Sequence, residues 1–182
     1  MKEFKMKYPN VTFHMFSGNA DDIKERIDNG LIDIALLNEP VDIDKYDFIR
    51  LPKKDRWGIL LLKNDPSANK DYITPEDFMN KSIMCSPRHD VQNKLFDWLG
   101  EYNDSINIVL TYNLIYNASV MVEQGLGYAV TLDGIININD DSKICFRPFL
   151  PPLETGTVLV WKKNQIYPPA VTKFIEMLKN AF

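Results

Sequence analysis

Strand-like and helix-like segments alternate along this chain, and the clearest example lies near its start. Residues 11–16, VTFHMF, alternate apolar and polar side chains and are rich in strand formers. Asn19 is a suitable N-cap, and apolar residues then repeat at four-residue spacing until Gly30 ends the predicted helix. IDIALLN, residues 32–38, predicts the next strand. This βαβ order predicts an α/β fold with mainly parallel strands.

The rest of the chain continues the alternation. Further strands are predicted at residues 47–63, 81–86, 106–112, 144–149 and 157–163. A helix is predicted over residues 3–8, and others are predicted to start near Thr74, Asp90, Asn113 and Pro169. No repeat or long linker interrupts the order.

The stretch EQGLGYAV, residues 123–130, marks a passage from helix to buried strand. Gly125 stands where a helix needs a left-handed residue after its last turn, which glycine adopts without a Cβ clash. Gly127 permits close approach of another backbone. We expect a tight turn that sets the helix against the sheet.

Composition narrows the class of protein. The 182 residues are 45% hydrophobic and 25% charged, as in globular domains. A formal net charge of -4 and the lack of a basic run argue against direct binding of a nucleic acid backbone. No apolar stretch has the length of a membrane span, and MKEFKMKYPN contains no signal-peptide core, so the expected location is the cytoplasm.

No catalytic or metal-binding arrangement is evident. His14 lies in a predicted strand, where a lone histidine is usually structural, and Ser86, His89 and Asp90 are too close in sequence to converge as a triad. No phosphate loop or zinc-ligand spacing occurs, so we expect no enzyme activity, metal or cofactor. Cys85 and Cys145 lie in apolar runs and predict reduced core thiols, with a disulfide as the alternative.

The turn SPRHD, residues 86–90, favours ligand binding instead. A strand end followed by a helix start presents free N–H groups and the positive end of the helix dipole. Arg88 adds a permanent cation that can bind a carboxylate through two hydrogen bonds. Asp21 and Asp22, beside the corresponding turn at Asn19, would oppose an anion there, which leaves the charge of the ligand open.

Five short motifs occur in order along the chain: F-x-x-x-Y-P-x-V at 4–11, GN…G-x-x-D at 18–33, V-x-x-G-x-G at 122–127, L-V-W-K at 159–162 and P-A-V-x-x-F at 169–174. Their order and spacing resemble the effector-binding domain of LysR-type transcriptional regulators. That family shares the type 2 periplasmic-binding-protein fold. The resemblance covers the chain from Lys2 onward.

The resemblance implies a two-lobe fold with two crossings between the lobes. Lobe I would comprise residues 2–58 and 150–182, and lobe II residues 59–149. In the family, strand-to-helix turns of the two lobes face a cleft that holds a small, often anionic effector. The ligand-binding candidates implied here are Ser17, Asn19, Asn38, Ser86, Arg88, Asn113 and Tyr128.

This sequence also departs from the family pattern. The family's HPLA loop is Asp65-Pro66-Ser67-Ala68 here, and Asp133 replaces a proline. By comparison with the family, the sequence starts within the first helix, without the helix-turn-helix and the first strand. That absence predicts an open strand edge beside residues 11–16 and a homodimer, or a larger assembly, in which residues 4–16 are covered.

Two other functional classes remain as alternatives to a sensor module of a regulator. A free solute-binding protein would require a signal peptide or a lipidated cysteine. An enzyme on the same fold would require acid and base groups converging in the cleft, for which only His89 and nearby carboxylates are candidates. DNA binding would belong to the absent N-terminal part.

Overall fold

The computed structural model describes all 182 residues, which form two compact units. Unit 1 comprises Met1–Lys53 and Gly156–Phe182, and unit 2 comprises Lys54–Thr155. Each boundary lies a few residues from the predicted one, because a strand that begins at Asp55 pairs with residues 154 and 155 and belongs with them to unit 2.

Helices and strands are interspersed along the chain, and the predicted α/β fold class is confirmed. The α-helices are α1 (Lys2–Lys7), α2 (Ala20–Asp28), α3 (His89–Leu99), α4 (Ile115–Glu123) and α5 (Pro169–Ala181). The strands are β1 (Ala35–Asn38), β2 (Tyr46–Arg50), β3 (Asp55–Leu62), β4 (Ser82–Cys85), β5 (Asn107–Thr111), β6 (Tyr128–Leu132), β7 (Ile144–Pro148), β8 (Glu154–Thr155) and β9 (Thr157–Lys162). Short 3-10 helices lie at Pro66–Asn69, Pro75–Phe78 and Gly100–Ser105.

Unit 1 contains a three-stranded sheet in the order β1-β9-β2. Both pairings are antiparallel, with Leu37 opposite Val158 and Phe48 opposite Val160. The expectation of a mainly parallel sheet is therefore wrong for this unit, because β9 enters between the two earlier strands and runs against both.

Residues 11–16 form no strand, contrary to the sequence prediction. The backbone of residues 12–17 makes no backbone hydrogen bond, and β1 pairs on one side only. Since Glu39 N donates to Gly156 O, the alternation of an antiparallel ladder points the backbone groups of Leu36 and Asn38 toward the open side. An alternating pattern is not sufficient for a strand when no neighbouring strand is there to pair with it.

The core of unit 1 lies on both faces of its sheet. Ile23 and Ile27 of α2 pack against Leu37, Val158 and other buried residues of the sheet. An aromatic cluster is centred on Phe4, whose ring lies 4.7 Å from that of Tyr8, 6.1 Å from that of Phe13 and 5.0 Å from that of Phe174. This cluster joins the two chain segments of the unit.

Unit 2 contains a mixed sheet in the order β5-β4-β6-β3-β7. β4 runs parallel to β5 and β6, whereas β3 runs antiparallel to β6 and β7. The predicted parallel arrangement thus holds for three strands. β3 is apolar and buried at successive positions because the sheet is covered on both faces.

Alternate residues of β3 belong to different parts of the unit 2 core. Ile59 and Leu61 pack with Leu95 and Leu99 of α3, and Leu60 packs in a second cluster with Ala118 and Val122 of α4. No helix in the structure combines the length and apolarity needed to cross a membrane.

The passage from α4 to β6 has the predicted tight turn. Gly125 has φ +80° and Gly127 has φ +151°, conformations that glycine adopts far more readily than other residues. A Cβ on Gly127 would overlap the carbonyl oxygen of Ser82 and lie 2.8 Å from Ser82 Cβ. Close approach of β4 and β6 therefore depends on glycine at position 127.

Candidate functional site

The turn that follows β4 leads directly into α3. Arg88 is the N-cap residue of this helix, and its backbone N–H donates to Ser86 Oγ at 3.3 Å. Gln92 Nε2 donates to Ser86 O at 2.9 Å and approaches Cys85 Sγ at 3.8 Å. These bonds fix the turn and keep Ser86 beside the helix N-terminus.

Arg88 is held close to the helix by an acidic neighbour. Its Nη2 atom lies 2.5 Å from Asp90 Oδ2, and the side chain of Arg88 is 12% exposed while that of Asp90 is 41% exposed. The sequence predicted Asp90 as the cap of α3, but the residue lies in the first turn, where a carboxylate is also favoured by the dipole. Its pairing with Arg88 was not predicted.

The end of β5 lies next to the same turn. Thr111 is in register with Cys85, and Tyr112 N donates to Cys85 O at 3.0 Å. Tyr112 donates its hydroxyl to the carbonyl of Val130, and burial raises the pKa of that hydroxyl. The structure therefore places Asn113, which is exposed, beside the strand end that carries Ser86. Asn113 was predicted to cap α4, but Leu114 occupies the N-cap position.

Tyr128 lies at the other end of these strands. It is the first residue of β6, in register with Ile83, and is buried. Its hydroxyl lies 2.9 Å from Asp65 Oδ1 and 3.1 Å from Ser67 Oγ, and burial raises its pKa. The structure does not bring Tyr128 together with Ser86, Arg88 and Asn113.

Of the three ligand-binding candidates in unit 1, Asn19 and Asn38 make hydrogen bonds within that unit. Asn19 Oδ1 accepts hydrogen bonds from the N–H groups of Asp21 and Asp22, both at 2.9 Å, and so caps α2 as predicted. Asn38 Oδ1 accepts from Thr157 Oγ1 at 2.9 Å across the β1–β9 pair. Ser17 is exposed in the unpaired segment before α2.

The two histidines and the two cysteines have the following environments in the structure. His14 and His89 are exposed. Cys85 and Cys145 are buried free thiols, and burial raises the pKa of each. No group of three or more histidine, cysteine or acidic side chains is arranged to hold a metal ion.

Comparison with known proteins shows the family. The model of the LysR substrate binding domain matches residues 1–182. The chain belongs to the LysR substrate-binding domain family. The resemblance predicted from the motifs is thereby confirmed.

The LysR domain is similar in sequence to a bacterial transcriptional regulator. It is 26% identical over 184 residues to the uncharacterised HTH-type transcriptional regulator YvbU of Bacillus subtilis strain 168. The match covers 100% of this chain and 61% of YvbU, so the chain spans about three fifths of that relative. The relatives are regulators, and the domain is an effector-binding domain and not an enzyme.

Solved structures show the same fold. The effector-binding domain of QuiR in complex with shikimate superposes with a TM-score of 0.83 at 18% identity, covering 99% of this chain and 87% of that one. The regulatory domain of CcmR from Synechocystis PCC6803, in complex with 2-PG, gives a TM-score of 0.78 at 18% identity, covering 99% and 88%. Both are regulatory domains of the periplasmic-binding-protein-like fold.

Proposed function

We propose that this LysR domain senses a small organic anion and that Arg88 is the main cation in its binding site. Domains of similar fold were solved with shikimate and with 2-PG. The observation that carries the proposal is the position of Arg88, a nearly buried cation at the N-terminus of α3, beside Ser86. A guanidinium and N-terminal N–H groups both favour a carboxylate or a phosphate.

The other side chains at this edge of unit 2 suit polar groups of the same ligand. Ser86 carries a hydroxyl, and exposed Asn113 carries an amide that can donate or accept. Ser17, Asn19 and Asn38 of unit 1 remain ligand-binding candidates from the family resemblance alone. Tyr128 is the weakest candidate, because its hydroxyl already bonds Asp65 and Ser67.

A screen of organic acids, shikimate included, tests the role of Arg88. We expect Arg88→Ala to weaken binding by about 1.5 to 3 kcal/mol, the range for a hydrogen bond to a charged group. Isothermal titration calorimetry of both proteins measures the difference. Lys143→Ala, which removes an exposed cation from unit 2, serves as the control and should leave the affinity unchanged. Equal affinities of Arg88→Ala and the unaltered domain, or a panel without any binder, would contradict the proposal.

In the intact regulator, ligand binding to this domain would change the arrangement of DNA-binding parts outside this chain. A ligand can do this only if it binds one arrangement of the protein better than another. The proposed partners are thus a small effector and, through other parts of the regulator, DNA in the cytoplasm.

The open edge of unit 1 supports a proposal of self-association. Leu36 and Asn38 direct backbone groups away from β9, and residues 12–17 lack backbone partners. Met15 is 84% exposed, and Phe16 and Met6 are exposed nearby in sequence. Unpaired edges with apolar side chains recruit other chains. The domain therefore forms a homodimer, or a larger assembly, that covers part of residues 4–16.

Light scattering at micromolar concentration tests this assembly. We expect a mass of at least twice that of the chain, and a shift toward monomer for Met15→Lys, which adds a charge to an exposed position without disturbing the core. Lys163→Met, remote in sequence and exposed, is the control. A strict monomer in all three samples would show that the open edge is tolerated in solution.

A further inference from the structure

Asp90 contacts the same donors at this turn, a guanidinium and a backbone N–H, that an anionic ligand would bind. One carboxylate oxygen, Oδ2, lies 2.5 Å from Arg88 Nη2. The other, Oδ1, accepts a hydrogen bond from Val91 N at 2.8 Å. Val91 lies in the first turn of α3, so its N–H belongs to the group of donors that makes a helix N-terminus attractive to anions.

The exposure of the two side chains shows which of them meets solvent. Arg88 is 12% exposed, whereas Asp90 is 41% exposed. The carboxylate of Asp90 therefore already occupies the guanidinium of Arg88 when an anion approaches it from solvent. Two carboxylates close together repel each other, and a ligand must displace Asp90 or tolerate its charge.

We propose that Asp90 is a built-in competitor for the effector and sets the selectivity of the Arg88 site. This inference rests on the proposed function, since it concerns the same cation. The occupied guanidinium excludes neutral molecules and weak acceptors, and it admits small organic anions whose carboxylate or phosphate group replaces both contacts of Asp90. When such an anion binds, the carboxylate of Asp90 moves to solvent, where its charge is hydrated.

The test compares charge removal at two positions of the same helix. Asp90→Asn keeps the shape of the side chain and an acceptor for Val91 N, but it removes the competing charge. Asp97→Asn, at an exposed position of α3, makes the same change in net charge away from the turn. Shikimate is titrated into each full-length chain up to millimolar concentration, with two-dimensional NMR as the readout, and circular dichroism confirms that each variant is folded.

We expect Asp90→Asn to bind shikimate roughly three- to tenfold more tightly, because one ion pair no longer has to be broken. Asp97→Asn should stay within about twofold of the unaltered chain, as expected for a distant, exposed charge. Asp90→Ser, which also lacks the charge and retains an acceptor, should reproduce the gain and guards against a folding defect in the asparagine variant. The double variant with Arg88→Ala should abolish the gain.

Two other outcomes overturn the inference. If Arg88→Ala weakens binding while Asp90→Asn binds equally well or less well, Asp90 positions Arg88 and does not compete, and the proposed function stands. If neither shikimate nor any other acid of the screen binds, with or without the charge of Asp90, both the inference and the assignment of the anion site to Arg88 fail.

Discussion

Replacing Gly127 by alanine is expected to lower the free energy of unfolding by roughly 3 to 5 kcal/mol, the sum of backbone strain and overpacking. The φ angle of +151° is strained for a residue with a Cβ. The new methyl group would also overlap the carbonyl oxygen of Ser82 and lie 2.9 Å from its carbonyl carbon. These are backbone atoms of the neighbouring strand β4, and they cannot move away without disturbing the pairing of β4 with β6. Urea denaturation followed by circular dichroism measures the change.

Gly134 provides a matched control for the steric part of this effect. It has φ +76°, and a Cβ there would meet no atom within 4 Å. Gly134→Ala should therefore cost only about 1 to 2 kcal/mol, the backbone penalty for a left-handed residue. Equal losses for the two variants would mean that β4 can shift to accommodate the methyl group at position 127.

Replacing Phe4 by alanine is expected to destabilise unit 1 by about 3 to 5 kcal/mol, as for a large aromatic side chain removed from a core. Phe4 is 1% exposed and contacts the rings of Tyr8, Phe13 and Phe174. Its loss opens a cavity between α1 and α5, which come from opposite ends of the chain. Thermal unfolding and hydrogen exchange at α1 and α5 measure the effect.

Met6 lies on the same helix and is 76% exposed. Met6→Ala should change stability by no more than about 0.5 kcal/mol, as is usual for surface positions. If Phe4→Ala were as mild as Met6→Ala, α1 would not be part of the unit 1 core.

The fold was predicted where the signals are local. Asn19 and Gly30 mark the two ends of α2 because an N-cap side chain and a left-handed residue act on their own helix. The segment 11–16 was predicted wrongly because a strand also needs a neighbour, and its alternating pattern carries no information about one. The direction of β9 was missed for a related reason, since periodicity is the same in parallel and antiparallel strands.

The candidate site was predicted in outline and not in its pairings. The turn at Ser86 and the cation at Arg88 follow from residue types at a strand end. The contact between Arg88 and Asp90 depends on the backbone of the turn, which spacing alone does not fix. Tyr128 was assigned to the ligand from the family pattern, but Asp65 and Ser67, which stand in a loop that departs from that pattern, supply partners for its hydroxyl.

The position of β9 has a consequence for synthesis of the protein. β9 is the only strand that pairs with β1 and β2, and it is encoded after the whole of unit 2. During translation, unit 2 can complete its sheet before β9 is synthesised, so β1 and β2 are still unpaired at that stage. A ribosome that stopped after Thr155 would release a chain with every strand of unit 2 and no strand pair at all in unit 1. Chaperones that bind nascent chains would therefore encounter a folded unit 2 together with two unpaired strands, β1 and β2.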